Sequence, residues 1–375
     1  MNPNMNRVAF ISTMDGAAWG GSEDLWGNTA LHLANRGVYD VRVNVSRWSE
    51  VPPLVSKLSE ARAVVTRRPL RHTTSQKVKR VVLGETAYKW LDANRPDFVL
   101  VSQGGNVDGV EWMLECAQRG IPYACIAQMA NDDYWPPYDI VKRNAAAYTQ
   151  AQASYFVSRA NRELTERQLA CRLPNASVVH NPYHVNYEAD PPWPATEGVI
   201  KLACVGRLAP NAKGQDLILE VMSMEKWRKR PLQVTLFGSG PCRESIAALA
   251  AMLNVTSVHF GGFESSVENI WATHHALILP SRFEGLPLSV VEAMLCGRVC
   301  IVTDIAGNAE LLEDNLTGFV AAAPSARSLD EALERAWQRR TEWQEMGQAA
   351  RKHCRQLIPQ DPIGEFAKTL GSIII

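Results

Sequence analysis

The 375-residue chain carries 39 basic and 39 acidic side chains, and 46% of its residues are apolar while 21% are charged. These values exclude a disordered chain, a fibrous repeat and a membrane channel, and the cancelling charges leave no net field to hold nucleic acid. Because the length exceeds what one hydrophobic core usually supports, we expect two domains.

The N-terminal residues lead directly into the apolar run VAFIS, without the sequence of regions that defines a secretory signal. No apolar run approaches the ~20 residues needed to cross a bilayer. The eight cysteines form no C-x-x-C pair and no regular framework. We therefore expect a cytoplasmic protein with reduced thiols in its core.

Short apolar runs alternate with amphipathic segments in the first half: VAFIS, a helical pattern over 22–36, VRVNV, FVLVS and YACIAQ. Such alternation indicates βαβ units on a parallel sheet, so residues 1–185 are predicted to form a Rossmann-like domain. The turn GAAWGGSE follows the first strand, and Gly20 and Gly21 would allow a phosphate to approach the backbone closely. Trp19 in this turn would stack on a sugar or only pack the turn.

A basic segment spans residues 67–80. It is a candidate for peripheral contact with acidic lipid at the inner membrane face, or with a charged acceptor. The alternative is a solvated loop and helix face.

Residues 186–199 are rich in Pro and acidic side chains and lack periodicity, which is typical of an interdomain linker. Five further strand patterns follow, so residues 200–356 are predicted to form a second doubly wound α/β domain. Such sheets bind ligands at the carboxyl ends of their strands. The fold class expected is therefore α/β, with two Rossmann-like domains facing each other across a cleft.

The stretch SRFEGLPLSVVEAMLCG predicts a helix that begins after the strand HALILPS, with Pro287 at its first position and Gly297 just past its end. Leu288, Val291 and Leu295 would form its apolar face. The backbone amides at residues 285–288 would then be unpaired at the helix start, which is an anion site.

Two carboxylates, Glu284 and Glu292, flank this anion site. They would repel a phosphate, but a carboxylate accepts hydrogen bonds and suits the hydroxyls of a sugar or a ribose. Arg207 and Lys213 follow the strand IKLACVG and supply the compensating positive charge for a diphosphate. The pattern therefore predicts a nucleotide sugar, bound without a divalent metal.

Taken together, the motifs GGSE, VVHNPYH, VGRLAPNAKGQDLILEV, GSGPCRESIAALA, VHFGGF and SRFEGLPLSVVEAMLCG resemble the retaining glycosyltransferases of family 4, which have the GT-B fold. The resemblance extends over nearly the whole chain and is strongest over residues 178–320. It implies transfer of a sugar from a nucleoside diphosphate sugar, with UDP-sugar favoured and GDP-mannose next, to a sugar, lipid-linked or small-molecule acceptor. Retention, independence of metals and cofactors, and a role in polysaccharide or glycoconjugate synthesis are also implied.

The resemblance assigns roles to individual residues. Glu284 would contact the transferred sugar and Glu292 the ribose, while Arg207 and Lys213 would stabilise the departing diphosphate. The remaining donor contacts would be Gly20 and Gly21 from the first domain, the backbone at Gly285, Leu286 and Leu288, and Phe263 beside the base.

The first domain would take the acceptor and the second the donor, while residues 357–375 would form a helix returning to the first domain. Phe263 has a core aromatic as its alternative role. Where many relatives carry a histidine, this chain has Gln128, which cannot act as a general base. Asn131 or Asp132 would contact the acceptor or the sugar, or else cap the next helix.

Two other functions are compatible with the pattern. A nucleotide-sugar epimerase shares the architecture but would need an acid and a base flanking the sugar ring. A non-catalytic nucleotide-sugar binder would have no need of the complete set of Arg207, Lys213, Glu284 and Glu292.

Overall fold

The computed structural model describes residues 5–16, 18–69, 87–195 and 198–374. The chain divides into two compact units. Unit 1 comprises Met1–Pro182 and Asp361–Ile375, and unit 2 comprises Tyr183–Gln360.

Unit 1 is built on a seven-stranded parallel sheet with the order β3-β2-β1-β4-β5-β6-β7. Its strands are β1 Arg7–Ser12, β2 Asp40–Ser46, β3 Val64–Arg68, β4 Phe98–Gln103, β5 Tyr123–Ala127, β6 Ala153–Phe156 and β7 Ala176–Val178. Its helices are α1 Gly21–Arg36, α2 Pro53–Glu60, α3 (described over 87–94), α4 Val110–Gln118, α5 Tyr138–Gln150, α6 Arg159–Leu169 and, from the C-terminus, α15 Pro362–Gly371.

Alternate residues of β1 enter two separate hydrophobic cores of unit 1. Val8 and Phe10 pack with α1, α2 and α15, whereas Ala9 and Ile11 pack with α3, α4 and α5. Because successive strand side chains point to opposite faces, the sheet is covered by helices on both sides. The helices are held by burial of apolar side chains, at roughly 25 cal/mol per Å² of apolar surface removed from water.

Unit 2 is built on a six-stranded parallel sheet with the order β10-β9-β8-β11-β12-β13. Its strands are β8 Ile200–Val205, β9 Leu232–Phe237, β10 Val258–Gly262, β11 Ala276–Leu279, β12 Val299–Thr303 and β13 Gly318–Ala321. Its helices are α7 Pro210–Lys213, α8 Gln215–Ser223, α9 Glu225–Arg228, α10 Arg243–Met252, α11 Val267–Trp271, α12 Leu288–Leu295, α13 Ala326–Gln338, a 3₁₀ turn at Arg340–Glu342 and α14 Trp343–Leu357. The prediction of two parallel-sheet α/β domains is confirmed.

The segment predicted as a linker, residues 186–199, falls within unit 2, and its described residues contact the rest of that unit. Arg298, 1% exposed, donates to the carbonyls of Pro191 and Pro192 and lies 4.9 Å from the ring of Trp193. Its guanidinium also donates to the carbonyls of Trp271 and His274. A buried guanidinium is tolerated when its donors are satisfied, and here they join this segment to the turn that precedes β11.

Helix α15 belongs to unit 1, although it is separated in sequence from the rest of that unit. It packs against α1. Phe366, Ala367 and Leu370 are buried in the core that contains Val8 and Phe10. The C-terminal residues therefore complete the core of unit 1.

Candidate nucleotide-sugar site

The candidate site in unit 2 is formed by the loops after β8 and β11. These two strands are neighbours in the sheet and pair in parallel through Ala276 with Leu202 and Leu277 with Ala203. Their carboxyl ends therefore lie side by side. The first loop leads into α7, which ends at Lys213, and the second carries Glu284 before α12.

Lys213 and Glu284 form an ion pair between the two loops. The Lys213 Nζ lies 2.6 Å from the Glu284 Oε1, and Glu284 is 6% exposed. The same oxygen accepts a hydrogen bond of 2.7 Å from the Ser281 hydroxyl. Thr303, at the end of β12, donates to the Ser281 carbonyl at 2.6 Å. The carboxylate is therefore fixed in place by groups from three adjacent strand ends.

A second set of contacts fastens α7 to the same loop. Arg282 pairs with both carboxylate oxygens of Asp216, at 2.7 and 2.8 Å, and donates to the Pro210 carbonyl. Its backbone amide donates to the Ala212 carbonyl at 2.8 Å. Bidentate pairing of this kind sets geometry as well as adding attraction. The position of Lys213 therefore depends on Arg282.

Arg207 lies in the loop between β8 and α7, and its side chain is exposed. No hydrogen bond or ion pair of its guanidinium occurs within the part of the chain that the structure describes. Its carbonyl accepts from the Nε2 of Gln215, a side chain with no exposed surface whose Oε1 has no described partner. The backbone of Arg207 is therefore fixed while its five donors are available.

Helix α12 begins at Leu288, one residue later than predicted, because Pro287 has ψ of 117° and is the N-cap. Gly297 follows the C-cap with φ of 70°, as expected. Leu288 is half-buried and so is not a full member of the apolar face.

The amides of Gly285, Leu286 and Leu288 donate to no group among the described residues, and Pro287 has no N–H. The Gly285 carbonyl accepts from the Gly307 amide at 3.0 Å, so this turn is joined to the turn that follows β12. Three backbone N–H donors therefore have no acceptor among the described residues at the start of this eight-residue helix, beside Glu284.

Glu292 lies in the middle of α12 and is 4% exposed. Its Oε1 accepts a hydrogen bond of 2.9 Å from the backbone amide of His184. The carboxylate is therefore anchored in unit 2 through the first residues of that unit.

Phe263 directly follows β10 and is 81% exposed. This excludes the alternative of a core aromatic. Gly261 precedes it where a Cβ would crowd the ring of Phe237, and Gly262 has φ of 71°. The backbone therefore presents the phenylalanine ring to solvent at the carboxyl edge of the sheet.

Unit 1 contains the remaining predicted site residues. Gly21 is the first residue of α1 and Gly20 is its N-cap, with nothing within 4 Å of a Cβ built on Gly20. Trp19 packs 5.5 Å from the ring of Trp26 and donates to Asp24 at 2.8 Å. The packing role proposed for Trp19 is therefore the one that the structure displays.

Asn131 and Asp132 lie in the loop after β5. The Asn131 side chain accepts from the Asp133 amide at 2.8 Å, so it closes a local turn, and Asp132 is exposed. Gln128 is buried and exchanges two hydrogen bonds with the Asn181 amide, at 2.7 and 3.2 Å. Its amide group is therefore occupied within unit 1.

Of the basic segment 67–80, only residues 67–69 lie within the described ranges. Arg67 donates to the Trp48 carbonyl and Arg68 to Asn44 and to the Ser12 carbonyl. These two arginines are engaged by unit 1 itself. The prediction for residues 70–80 lies outside the described residues.

Across the described ranges, no cluster of three or more His, Cys, Asp or Glu side chains has the arrangement needed to hold a metal ion. Over those same stretches of chain, no helix combines the length and the apolar character required to span a bilayer.

The two parallel-sheet units have the GT-B fold, and solved structures with this fold cover nearly the whole chain. A glycosyltransferase from Rickettsia africae has a TM-score of 0.76 at 14% identity, covering 99% of each chain. The Anabaena protein Alr3699/HepE in complex with UDP and glucose has a TM-score of 0.72 at 14% identity, covering 98% of this chain and 99% of its own. At such identities the likeness establishes the fold.

The family model described as Glycosyl transferases group 1 matches residues 188–353, somewhat less than half of the chain. The glycogen synthase of Rhodopirellula baltica is 32% identical over 165 residues, which is 41% of this chain and 32% of the relative. The chain spans about a third of the length of the curated relatives it matches first. The sequence similarity thus falls on the unit that carries Lys213, Glu284 and Glu292.

Three residues of the site were not predicted as members: Ser281, Thr303 and Gln215. Ser281 stands three positions before Glu284 at the same strand end, so its proximity could have been inferred from spacing. Thr303 ends β12, and its contact depends on which strands are neighbours. Gln215 follows Lys213 in the same connection as Arg207, and its contact with the Arg207 carbonyl depends on how that loop folds back.

Proposed function

We propose that the protein is a retaining glycosyltransferase of family 4, which transfers a sugar from a nucleoside diphosphate sugar to an acceptor without a metal or other cofactor. The observation that carries the proposal is the ion pair of Lys213 with the buried Glu284. It lies at adjacent strand ends, beside three backbone amides of the α12 turn that have no acceptor among the described residues. The match of residues 188–353 to group 1 glycosyl transferases supports the same conclusion.

The charges of the site suit a diphosphate between two hydroxyl-bearing groups. Arg207, Lys213 and the start of α12 supply positive charge and N–H donors. A diphosphate would compete with Glu284 for the Lys213 ammonium, which now lies 2.6 Å from the carboxylate. Binding of the donor would thereby release part of the Glu284 carboxylate to accept hydrogen bonds from the transferred sugar.

Lys213 and Arg207 would stabilise the negative charge that develops on the departing nucleoside diphosphate. Because Gln128 is bonded to Asn181 and is not basic, no side chain takes the acceptor proton at that position. The phosphate of the departing nucleoside diphosphate would take that proton. The new glycosidic bond would form on the face of the sugar from which the nucleoside diphosphate departs, so the configuration is retained.

The rest of the donor would be held by the other residues that the sequence predicted for the donor site. Glu292 would accept from the ribose, Phe263 would stack on the base, and Gly20 and Gly21 would approach the phosphates from unit 1. UDP-sugar is the favoured donor, with GDP-mannose next, and the Anabaena protein of the same fold was solved in complex with UDP and glucose. The acceptor would be a sugar, a lipid-linked sugar or a small molecule.

The first test is a thermal-shift panel of UDP, GDP, ADP and their sugars, with and without EDTA. A bound nucleotide raises the melting temperature to an extent that grows with its affinity. We expect the shift in wild type to survive EDTA and to be lost in Lys213→Met. Lys226→Met is the matched control. Lys226 lies on α9, which precedes β9 and so stands at the amino ends of the strands, and it forms an ion pair with Asp330.

Glu284→Gln separates binding from transfer. It removes the charge that competes for Lys213, so UDP should bind at least as tightly, while sugar transfer falls by about 100-fold or more, as when one group that stabilises a transition state is removed. Undiminished transfer by Glu284→Gln would disprove the role given to this carboxylate. A nucleotide-dependent thermal shift that EDTA abolishes would overturn the metal-free mechanism. Formation of a new epimer of the donor sugar without any acceptor would show that the reaction is epimerisation and not transfer.

A further inference from the structure

A loop of exposed aromatic side chains follows β5 in unit 1. Four aromatic residues are among the large apolar side chains exposed over the described ranges, and three of them lie within five positions of this loop. Tyr134 is 40% exposed, Trp135 64% and Tyr138 72%. We call residues 131–139 the aromatic loop. Single exposed apolar side chains are normal on a protein surface, whereas a cluster of them marks an interaction surface.

The aromatic loop is fixed from beneath by buried polar groups. The Gln168 side chain, 2% exposed, donates to the carbonyls of Asn131 and Tyr134, at 2.7 Å each. Asn131 in turn accepts from the Asp133 amide. The aromatic rings are thus carried on a backbone whose conformation is set before any ligand binds, which lowers the entropic cost of binding.

Two prolines lie between the outer rings, those of Trp135 and Tyr138. Pro136 is buried, and Pro137 has φ of −58° and ψ of 157°, the angles of polyproline II. Proline has a fixed φ, so this pair leaves the chain between Trp135 and Tyr138 little freedom to rearrange, and Tyr138 is the first residue of α5.

The charges around the rings distinguish between classes of ligand. Asp132, Asp133 and Asp139 are exposed beside them, while Arg143 is paired with Glu111 at 2.6 Å. Lys142 lies over the Tyr138 ring, 4.6 Å from its centroid. Exposed carboxylates repel phosphate-bearing lipids and nucleic acids, whereas they accept hydrogen bonds from hydroxyl groups. A neutral, hydroxyl-rich ligand with flat apolar faces fits this surface.

We propose that the aromatic loop binds a carbohydrate chain, the acceptor of the transfer proposed above, with Trp135 and Tyr138 each stacking against a sugar ring. The loop extends from the carboxyl end of β5, the edge at which parallel sheets of this kind bind ligands. The inference names the acceptor class and rests on the proposed function, since it takes the bound glycan to be the acceptor of that reaction.

The test is retention of the fluorescently labelled full chain on a glycan array, compared with Trp135→Ala, Tyr138→Ala and Trp135→Phe. We expect wild type to be retained by a defined set of oligosaccharides and each alanine variant to bind about two- to tenfold more weakly, the loss typical of one aromatic contact. Trp135→Phe keeps a ring and should restore most of the binding. Because these side chains are exposed, the variants should fold normally, which circular dichroism checks.

Phe263→Ala is the matched control, because it removes an exposed aromatic side chain outside the aromatic loop. It should weaken the UDP thermal shift and leave glycan retention unchanged, whereas Trp135→Ala should do the reverse. Glycan binding without any nucleotide binding in wild type would uphold the carbohydrate surface and disprove the proposed transfer. Failure of the carbohydrate surface and failure of the proposed transfer are therefore distinguishable.

Three results would overturn the inference. The first is retention of wild type by no glycan on the array, and the second is equal retention of wild type and Trp135→Ala. The third is Trp135-dependent binding to vesicles of phosphatidylglycerol and phosphatidylcholine, which would assign the loop to a lipid surface instead.

Discussion

Glu23 is a buried carboxyl group at the beginning of α1, 5% exposed, and it accepts a hydrogen bond of 2.6 Å from the Ser12 hydroxyl. Burial raises its pKa to about 7, against the opposing effects of the Ser12 hydrogen bond and the Arg68 charge. The neutral form is favoured in the folded protein because a charge in this position would be poorly solvated.

We predict that Glu23 makes the folded protein less stable as the pH rises from 4.5 to about 7. In this interval the folded protein keeps the proton that the unfolded chain has released, so the free energy of unfolding decreases with pH. The change corresponds to roughly 3 kcal/mol over the interval. Urea unfolding of wild type and Glu23→Gln at about pH 5 and about pH 8 measures it.

Glu23→Gln should have nearly the stability of wild type at the lower pH and exceed it at the higher pH, because glutamine resembles the protonated acid. Glu163→Gln is the control, since Glu163 is an exposed carboxylate on α6 of the same unit. An equal pH dependence in wild type and Glu23→Gln would refute the assignment.

At the scale of single residues, the sequence predicted that Lys213 and Glu284 lie close together, and the two side chains form an ion pair. Both residues follow strands, and the carboxyl ends of parallel strands meet at one edge. The sequence could not decide between the two roles weighed for Trp19 or the two weighed for Phe263. Burial of an aromatic ring depends on which groups surround it in the folded protein. Trp19 has Trp26 and Asp24 beside it, whereas Phe263 is presented to solvent.

The short helix α7 sets the position of Lys213, its last residue, and is capped by Gly214, which has φ of 68°. A Cβ at this position would overlap the carbonyl oxygen of Pro280. Glycine is therefore required here twice, for its left-handed conformation and for the close approach of the β11 loop.

We predict that Gly214→Ala lowers both the stability of unit 2 and its affinity for UDP. The left-handed conformation alone costs about 1–2 kcal/mol, and the overlap with Pro280 should at least double that loss by forcing the two loops apart. Separation of the loops also lengthens the Lys213–Glu284 contact. Denaturant unfolding and the UDP thermal shift measure the two effects.

Gly37→Ala is the matched variant, because Gly37 has φ of 66° at the end of α1 and nothing within 4 Å of its Cβ position. It should show the conformational cost alone and an unchanged UDP shift. Similar losses in the two variants would mean that the contact with Pro280 relaxes without consequence.

Among the elements, α1 and α12 were predicted to within one residue at their starts, since strands, glycines and prolines bracket them. The error at the start of α12 has a simple cause. Proline is accepted both at the first helical position and as the N-cap, and only the backbone angles of Pro287 distinguish the two. The burial of Glu292 was likewise not predictable, since it depends on the His184 amide.

At the scale of the whole molecule, the alternation of strands and helices predicted two parallel-sheet units. The composition of residues 186–199 predicted a linker, and two prolines of that segment accept hydrogen bonds from Arg298. The composition of a segment cannot reveal its hydrogen bonds to an arginine that is distant in the sequence. How the two units face each other stays a prediction.

The last element of the chain provides a test of how the two units are stabilised. Phe366 on α15 is 3% exposed and meets the ring of Tyr155 edge-on, 5.1 Å between centroids, within the core of unit 1. We predict that Phe366→Ala costs about 3–5 kcal/mol and that the loss is confined to unit 1. Hydrogen exchange followed by mass spectrometry should show reduced protection in β1 and α1 and unchanged protection in β8 and β11.

Leu357→Ala is the control for this experiment, because Leu357 ends α14 in unit 2 and is 39% exposed, so its truncation should change stability by no more than about 0.5 kcal/mol. Equal loss of protection in both units of Phe366→Ala would show that they unfold together. Loss confined to unit 1 would mean that α15, although it follows unit 2 in the chain, contributes its stability to the other unit. In that case UDP binding should survive Phe366→Ala at temperatures where glycan binding by the aromatic loop has already been lost.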